Sequence, residues 1–477
     1  MNKKAMLFCG PLIFIAFILY PGSIVGPEAD KVIGIALWMI LWWVTEAASI
    51  SVTALIPLTF YPLFGVMSVK DVAANYGHPI VFLFFGGFVM ALALEKANLH
   101  KRIALGIIKR IGTSPDKVIL GFMIATAFLS MWISNTATTV VMLPIAYSVI
   151  QLLVNDEDGF TKNDKNFALS IMLGIAYSAN VGGIATLIGT PPNIVLAGFM
   201  ESEYGYSISF VRWMIAGVPF AIIMLGFIYI ILTKIVYPNK LANFTESTKS
   251  IDEEIKKLGT WSVDEKLVVC IFMIAISLWV AKNYLNDVFP ELNLSDTTIS
   301  MLAAFACFTV MVKNNMLLAW EDTKKLPWGI IILFGGGLAL ASALSGVGII
   351  KMIGDLVSEN KALSVFAVSA ILISVMLFMT ELMSNVALVA IFAPMIAGVA
   401  TGLGINILHL LIPIAMASSC AFMLPMSTPP NAIVFASGHI KVAQMARAGI
   451  ILNLVSIALL ILFFNFVIPL IFTFNGI

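Results

Sequence analysis

Two short groups of small residues interrupt long apolar stretches of this 477-residue sequence and are its strongest candidates for chemistry. They are Ser134, Asn135 and Thr136 in the first half, and Ser384 and Asn385, followed by Val386, in the second. Hydroxyl and amide groups carry donors and acceptors without charge, so burying them costs less than burying ions when partners are present. Neutral oxygen ligands suit a small cation such as Na⁺, whereas amides, hydroxyls and helix N-termini suit an anion. The pattern therefore indicates a buried ion-binding site.

Two further motifs occur in the same order around these groups. Phe-Gly-Gly is found at 85–87 and 334–336, and Thr-Pro-Pro-Asn at 190–193 and 428–431. A Pro-Pro pair within a membrane span removes two amide donors and breaks the helix, which frees carbonyl groups that lipid cannot satisfy. Each broken helix is therefore expected to line a cavity inside the protein.

The composition indicates a membrane protein. Hydrophobic residues make up 60% of the chain and charged residues 11%, compared with about half and about a quarter in soluble domains. The sequence predicts an all-α polytopic membrane protein that is embedded in a lipid bilayer. A net charge of +1, without an arm rich in Lys or Arg, argues against nucleic acid as a partner.

The motifs of common membrane enzymes do not occur in the sequence. The four histidines are scattered, and neither HExxH nor GxSxG is present. The four cysteines stand singly in apolar runs, which favours neither a disulfide framework nor a metal cluster. We therefore expect a protein that is not an enzyme.

Apolar segments predict about 11 transmembrane helices plus two re-entrant hairpins, at 118–152 and 363–402. Each leg of the first hairpin has about 16 residues, or about 24 Å of helix, so it is shorter than the hydrocarbon core of about 30 Å. Its polar tip is expected near the midplane. Basic residues in alternate loops place the N-terminus in the cytoplasm and the C-terminus outside the cell, in the plasma membrane.

The repeated motifs divide the chain into two inverted repeats, 1–237 and 238–477, because the second hairpin enters from the opposite face. The first repeat contains a broken helix at 168–200 and the second contains one at 409–437. Inverted repeats whose broken helices meet at the midplane are typical of secondary transporters. A channel would need a continuous polar lining and is therefore the less favoured alternative.

These paired motifs resemble the divalent anion/sodium symporters, the INDY-type di- and tricarboxylate transporters, over the whole chain. The resemblance implies a homodimer with an elevator mechanism and one Na⁺ site per half. It implies substrate contacts at Ser134, Asn135, Thr136, Ser384, Asn385, Val386, Thr428 and Pro429. It implies cation ligands at Ser130, Asn135 and Gly183 in the first half and at Thr380, Met383 and Asn385 in the second.

The second tip departs from the family pattern, because Val386 stands where a threonine hydroxyl is expected. The resemblance implies C4/C5 dicarboxylates such as succinate, malate, fumarate or 2-oxoglutarate as substrates. Sulfate, another divalent anion or citrate is the alternative, and both Na⁺-coupled symport and dicarboxylate exchange remain open. Glu381, an acid inside an apolar run, is expected to support the second tip structurally. The glycines of the Phe-Gly-Gly motifs are expected to permit close helix packing.

Overall fold

The computed structural model describes residues 3–19, 25–112, 114–154, 161–239, 241, 245–312, 315–359, 364–438 and 440–472. Most of these residues lie in helices, as the sequence predicts. The two ends of the chain and residue 363, the predicted start of the second hairpin, lie outside the described residues. The sides of the membrane assigned to the two ends therefore stay predictions.

The first half contains twelve helices among its described residues. They are α1 (Lys3–Leu19), α2 (Pro27–Thr45), α3 (Ile50–Thr53), α4 (Ile56–Leu63), α5 (Val69–Tyr76), α6 (Pro79–Lys96), α7 (Leu99–Ile111), α8 (Pro115–Ser130), α9 (Asn135–Val154), α10 (Lys162–Ile184), α11 (Pro191–Tyr204) and α12 (Phe210–Ile230). A π-helical segment, Ile231–Val236, continues α12.

The described residues of the second half contain eleven more. They are α13 (Thr245–Leu258), α14 (Val263–Val288), α15 (Asp296–Thr309), α16 (Trp328–Gly346), α17 (Ile349–Glu359), α18 (Val365–Met379), α19 (Asn385–Gly402), α20 (Ile407–Ser418), α21 (Pro429–Phe435), α22 (Val442–Leu462) and α23 (Ile468–Ile471). Short 3-10 segments, Pro290–Leu292 and Trp320–Lys325, and a π-helical segment, Phe463–Val467, complete the helical elements. Two short antiparallel strands, β1 (Met311–Val312) and β2 (Asn315–Met316), depart from the all-helical expectation.

The order of elements in α6–α12 recurs in α16–α22. Each series has a glycine-containing apolar helix, an amphipathic helix, a helix–turn–helix unit, a helix interrupted before a Pro-Pro pair, and a long helix that ends in a π-helical segment. The two series also exchange contacts, since α9 packs against α21 and α11 packs against α19. The turns of the two helix–turn–helix units thus lie close to the breaks of the interrupted helices.

Among the described residues, six helices are long and apolar enough to cross a membrane. Shorter apolar helices, including α18 and α20, accompany them. These features support a multi-pass membrane protein, while the predicted number of crossings and the re-entrant path of the hairpins stay predictions.

The apolar run 33–66 forms more and shorter helices than its length suggests. It is long enough for two short spans that turn near Thr45 and Glu46, and α2 does end there, because Glu46 adopts the left-handed conformation with φ 47°. The remainder of the run forms two short helices, α3 and α4. Pro57, in the first turn of α4, favours a helix start at this place, since proline lacks the amide donor that a continuous helix needs.

The Phe-Gly-Gly motifs mark close helix contacts, as predicted. A Cβ atom on Gly86 would lie 2.2 Å from Oγ of Ser300, and one on Gly336 would lie 2.4 Å from the carbonyl oxygen of Ala54. No side chain fits at either place without moving the neighbouring helix. These glycines therefore fix α6 against α15 and α16 against α3.

Candidate ion and substrate site

The first tip is held together by a hydrogen bond between the two helices that flank it. Ser130 is the last residue of α8 and Asn135 is the first of α9. The Ser130 hydroxyl lies 2.6 Å from Oδ1 of Asn135 and 2.7 Å from the carbonyl oxygen of Ala179 on α10. Ser134 accepts a hydrogen bond from the backbone N–H of Ala137 over 3.2 Å and so satisfies one amide in the first turn of α9. The tip is thus fixed to the interrupted helix beside it.

The second tip has the same arrangement with threonine in place of serine. The Thr380 hydroxyl lies 2.7 Å from Oδ1 of Asn385 and 2.5 Å from the carbonyl oxygen of Ser418, the last residue of α20. Serine and threonine both carry a hydroxyl on Cβ, so the exchange keeps the bonding group in place. The two halves therefore match at the level of individual atoms.

Both interrupted helices break where the Pro-Pro pairs predict. The first break separates α10 from α11, and the second separates α20 from α21. In each half the prolines occupy the first turn of the helix after the break, where a missing amide donor costs little. The residue before a proline disfavours helical conformation, so the chain cannot run straight from one helix into the next.

The asparagine of each Thr-Pro-Pro-Asn motif spans its break. Nδ2 of Asn193 donates to the carbonyl oxygens of Gly183, over 3.2 Å, and Thr186, over 2.8 Å. Nδ2 of Asn431 donates to those of Ala421 and Leu424, both over 3.1 Å. The amide thus replaces backbone donors that the break removes.

The first tip contacts the first break so closely that only glycine fits there. A Cβ atom on Gly183 would lie 2.6 Å from Oδ1 of Asn135, and one on Gly189 would lie 2.5 Å from the carbonyl oxygen of Gly183. Three of the residues predicted to bind the first cation, Ser130, Asn135 and Gly183, are therefore neighbours. They bring together neutral oxygen atoms of the type that Na⁺ prefers.

The three predicted ligands of the second cation also lie together. Thr380 and Asn385 are in contact, and Met383 lies buried in the same turn. Of the two predicted substrate contacts at the second break, Thr428 is buried, whereas Pro429 is exposed. The described contacts bring Thr428 to the second break and do not join Pro429 to the tip.

Buried carbonyl groups near both breaks have spare bonding capacity. Among the described residues, Oδ1 of Asn180, Asn193 and Asn431 has no hydrogen-bond partner in the protein. Buried polar groups normally find one. Both breaks therefore fit the presence of a cation or of ordered water, and neutral oxygens are the right donors for either.

Glu381 is the one acidic residue of the second tip, and the structure gives it a defined role. Its buried carboxylate accepts hydrogen bonds from three successive backbone N–H groups of the second break and from Nδ2 of Asn453. The backbone donors are Phe422 (2.8 Å), Met423 (3.0 Å) and Leu424 (3.1 Å), and the Asn453 bond measures 2.8 Å. Glu381 therefore supports the second tip, as predicted, by organising the backbone of the adjacent break.

The first half uses a different contact at the corresponding place. The hydroxyl of Thr186 in the break donates to the carbonyl oxygen of Met131 in the tip over 2.6 Å. A single neutral bond thus joins tip and break in one half, and a carboxylate with four donors joins them in the other. The two sites share a framework and differ in the group that joins tip to break, a hydroxyl in the first half and a carboxylate in the second.

Several positioning residues were missed by the sequence reasoning. Asn180 on α10 donates to Ala421 and Thr428 at the opposite break, over 3.2 and 3.1 Å. Gly217 and Gly449 allow α12 and α22 to approach the two breaks, since a Cβ on either would lie within 2.6 Å of a break carbonyl. No repeated motif marks these three residues, whereas the repeated Thr-Pro-Pro-Asn marked the two asparagines that span the breaks.

The electrostatics of the tips favour an anion although no basic side chain is present. Residues 118–152 and 363–402 contain neither Lys nor Arg. Helices α9 and α19 begin at the tips, so the positive ends of their dipoles lie there. Ser134 and Thr136 are exposed, whereas Ser384 and Val386 are partly buried. Helix N-termini and uncharged donors are thus available to bind an anion.

The comparisons with known proteins agree over nearly the full chain. Residues 3–473 match the family model described as sodium:sulfate symporter transmembrane region. The sodium-dependent dicarboxylate transporter SdcS of Staphylococcus saprophyticus is 38% identical over 471 residues, which cover 97% of this chain and 91% of that protein. SdcS of Staphylococcus aureus is 38% identical over 474 residues, which cover 98% of this chain and 91% of that protein.

Solved structures of membrane transporters have a similar fold. The Alcanivorax borkumensis YdaH transporter aligns with a TM-score of 0.61 at 12% identity, over 98% of this chain and all of that one. Neisseria gonorrhoeae MtrF aligns with a TM-score of 0.60 at 13% identity, over 98% of this chain and 95% of that one. The family match confirms the resemblance drawn from the paired motifs: this chain belongs to the sodium:sulfate symporter family, the divalent anion/sodium symporters.

Proposed function

We propose that this protein is a secondary active transporter that carries C4/C5 dicarboxylates across the plasma membrane together with Na⁺. The observation that supports this most directly is the pair of matching oxygen clusters, Ser130 with Asn135 and Thr380 with Asn385. Relatives 38% identical to the chain are named sodium-dependent dicarboxylate transporters. Two cation sites of neutral oxygens, one per half, suit the cotransport of a dianion, because bound cations offset its charge.

In the proposed site, the two tips hold the substrate between them. Ser134, Asn135 and Thr136 bind one carboxylate through hydroxyl and amide donors and the N-terminus of α9. Ser384, Asn385 and Thr428 bind the other, with Val386 and Pro429 forming the apolar wall. Each asparagine contributes Oδ1 to a cation and Nδ2 to the substrate, so neither ligand binds well alone. This shared use of an amide is the basis for coupling.

The cation ligands in this proposal follow the same division. Ser130, Asn135 and Gly183 surround the first Na⁺, and Thr380, Met383 and Asn385 surround the second. Na⁺ is transported cargo here and not a resident cofactor. A hydroxyl that coordinates a cation through its oxygen keeps its proton for a carbonyl, and Ser130 and Thr380 each have one within reach, at Ala179 and Ser418.

The proposal includes an architecture that allows alternating access. The repeats 1–237 and 238–477 are inverted, and their hairpins enter the membrane from opposite faces. Two chains form a homodimer through their scaffold helices, which are the helices outside the hairpins and the interrupted helices. The hairpins and the interrupted helices move together as a unit in an elevator motion. The N-terminus is cytoplasmic and the C-terminus extracellular. Crosslinking of single cysteines introduced on the tips, compared with and without substrate, tests this motion.

Sulfate is the second candidate substrate, because the family description names it. The two substrates differ in size, and only a dicarboxylate has two separated charged groups that reach both tips. Uptake of labelled succinate into proteoliposomes, driven by an inward Na⁺ gradient and competed by sulfate or citrate, distinguishes them. Uptake without a Na⁺ gradient but with internal dicarboxylate would identify an exchanger, and flux that neither saturates nor shows counterflow would identify a channel.

A further inference from the structure

A cavity of about 320 Å³ lies beside the first tip and has a different chemistry from the tip itself. One wall is the first part of α9, formed by Ala137, Val140 and Val141. Ala137 follows Asn135 by two residues, so the cavity adjoins the place where we propose that substrate binds. Its volume falls in the range of about 300–1,000 Å³ that is common for small-molecule sites.

The opposite walls carry most of the charge. They come from the end of α6, the start of α7 and the 3-10 segment Trp320–Lys325. Their polar residues are Glu95, Lys96, Asn98, His100, Lys101, Asp322 and Lys325. Three lysines against two carboxylates leave an excess of one positive charge. We call this cavity with its lining the basic vestibule.

One of the two carboxylates is already neutralised. Oδ2 of Asp322 lies 2.6 Å from Nζ of Lys96 and also accepts from the backbone N–H of Ala319 over 2.9 Å. Burial raises the pKa of Asp322, whereas these hydrogen bonds and the nearby lysine charges lower it. The lowering is the larger effect, so the pKa lies below its usual value. With this ion pair formed, Glu95 is the lining carboxylate left to Lys101 and Lys325, which are both exposed, although Lys325 also interacts electrostatically with Asp322.

Lys101 and Lys325 are available to a ligand. Within the described part of the chain, neither of them forms an ion pair with a carboxylate, although Lys325 interacts electrostatically with Glu95. Burial lowers the pKa of His100, so this imidazole is neutral near pH 7 and adds no charge. Lys101 and Lys325 are therefore the two charges that an entering anion would meet.

The start of α7 adds a backbone contribution at the same place. Asn98 precedes this helix in the left-handed conformation with φ 55°, and its side chain does not cap the helix. The first amide groups of α7 and the positive end of its dipole thus adjoin the vestibule. Two lysines, a helix N-terminus and a half-open cavity together make a site for a carboxylate-type anion.

From this geometry we infer that the basic vestibule binds the dicarboxylate through Lys101, Lys325 and the start of α7 before or after it occupies the first tip. The inference rests on the proposed function and adds to it a second, transient anion site. The site lies on the face that the basic loops predict to be cytoplasmic. It raises the local concentration of the dianion at that face and so speeds its encounter with the tip.

The test compares the double variant Lys101→Gln/Lys325→Gln with the parent and with Lys324→Gln. Lys324 is the matched control, since it is exposed and adjacent to Lys325 but does not line the vestibule. Succinate transport is measured in everted membrane vesicles, which present the cytoplasmic face, and in intact cells, which present the other. Na⁺ is kept constant while choline chloride varies the ionic strength.

In everted vesicles at low ionic strength, we expect the double variant to raise KM for succinate about 3- to 10-fold with Vmax unchanged. The difference should vanish near 1 M salt, where the Debye length is about 3 Å. Lys324→Gln should match the parent, and intact cells should show no change in KM. An unchanged KM in everted vesicles, or an equal rise with Lys324→Gln, overturns the inference.

Two further arms separate the remaining explanations. A lipid headgroup has the same anionic oxygens as the substrate, so the KM comparison is repeated in proteoliposomes of phosphatidylcholine with and without phosphatidylglycerol. A KM effect equal in both supports a dicarboxylate site, and one that requires phosphatidylglycerol overturns it in favour of a lipid site. If the parent itself does not transport succinate, the proposed function fails; if only the KM effect is missing, the vestibule alone fails.

Discussion

Asn180 of the first half donates a hydrogen bond through Nδ2 to Oγ1 of Thr428 in the second half over 3.1 Å. The same nitrogen lies 3.2 Å from the carbonyl oxygen of Ala421 in the second break. All three residues are buried. One amide on α10, the helix that carries the first break, therefore fixes a hydroxyl and a carbonyl at the second.

We predict that Asn180→Ala weakens binding of Na⁺ and succinate together, because Thr428 and Ala421 each lose one of two hydrogen-bond donors and keep only the one from Asn431. Each lost hydrogen bond costs about 0.5–1.5 kcal/mol, which corresponds to about a 2- to 12-fold rise in the half-saturating concentrations. Na⁺ and succinate titrations of uptake measure this. Asn166→Ala, on the exposed start of the same helix, should leave both values unchanged. A change in stability with unaltered titrations would assign Asn180 to packing only.

The tip asparagines are predicted to be indispensable. Asn135→Ala or Asn385→Ala should abolish transport while expression and oligomeric size stay normal, because ligands are removed and little core volume is lost. Ser148→Ala is a suitable control, since Ser148 lies on α9 and, among the described residues, its hydroxyl bonds to the carbonyl of Pro144 in its own helix. Parental uptake by the Asn135 variant would remove this residue from the site.

The Pro-Pro pairs are predicted to maintain the breaks. Replacing Pro191 and Pro192, or Pro429 and Pro430, with alanine restores amide donors and favours a continuous helix. We expect the half-saturating Na⁺ concentration to rise more than thermal stability falls, because the break carbonyls are withdrawn from the cations. Uptake and thermal unfolding measured on the same preparations separate the two effects. Unchanged transport in both double variants would contradict this role.

Glu381 is predicted to be required for stability of the second half of the site. Glu381→Gln replaces one acceptor oxygen by an NH₂ group that faces backbone donors of the second break. We expect a loss of about 1–3 kcal/mol, seen as a lower Tm in detergent, together with weaker Na⁺ dependence. Glu359→Gln, on the exposed end of α17, should leave Tm unchanged. An equal Tm for the two variants would show that the four hydrogen bonds contribute little.

The difference between the tips predicts an asymmetric substrate site. In the proposed site Thr136 offers a hydroxyl to the substrate and Val386 does not, and a hydrogen bond to a charged group is worth about 1.5–3 kcal/mol. Val386→Thr should therefore tighten succinate binding several-fold, whereas Thr136→Val should nearly eliminate it. A competition series of C4 and C5 dicarboxylates against labelled succinate measures both. Equal effects of the two substitutions would mean that Val386 does not face the substrate.

Much of the fold and of the site was predictable from the sequence because the bilayer restricts the solutions. Apolar runs must become helices in lipid, and a Pro-Pro pair within one must interrupt it, so both breaks lie inside the predicted broken helices 168–200 and 409–437. The family resemblance carried by the repeated motifs implied Ser130 with Asn135, and Thr380 with Asn385, as cation ligands. Each pair is separated by only five residues across a helix–turn–helix unit, so local geometry brings its members together.

Contacts between distant segments were decided by tertiary structure alone. No local pattern pairs Asn180 with Thr428, or Glu381 with Asn453, because these bonds depend on how whole helices pack. The basic vestibule forms only where α6, α7, α9 and Trp320–Lys325 meet. In the sequence, Lys101 and Lys325 are indistinguishable from the other basic residues of the loops predicted to be cytoplasmic. The packing of these segments places both lysines beside the first tip.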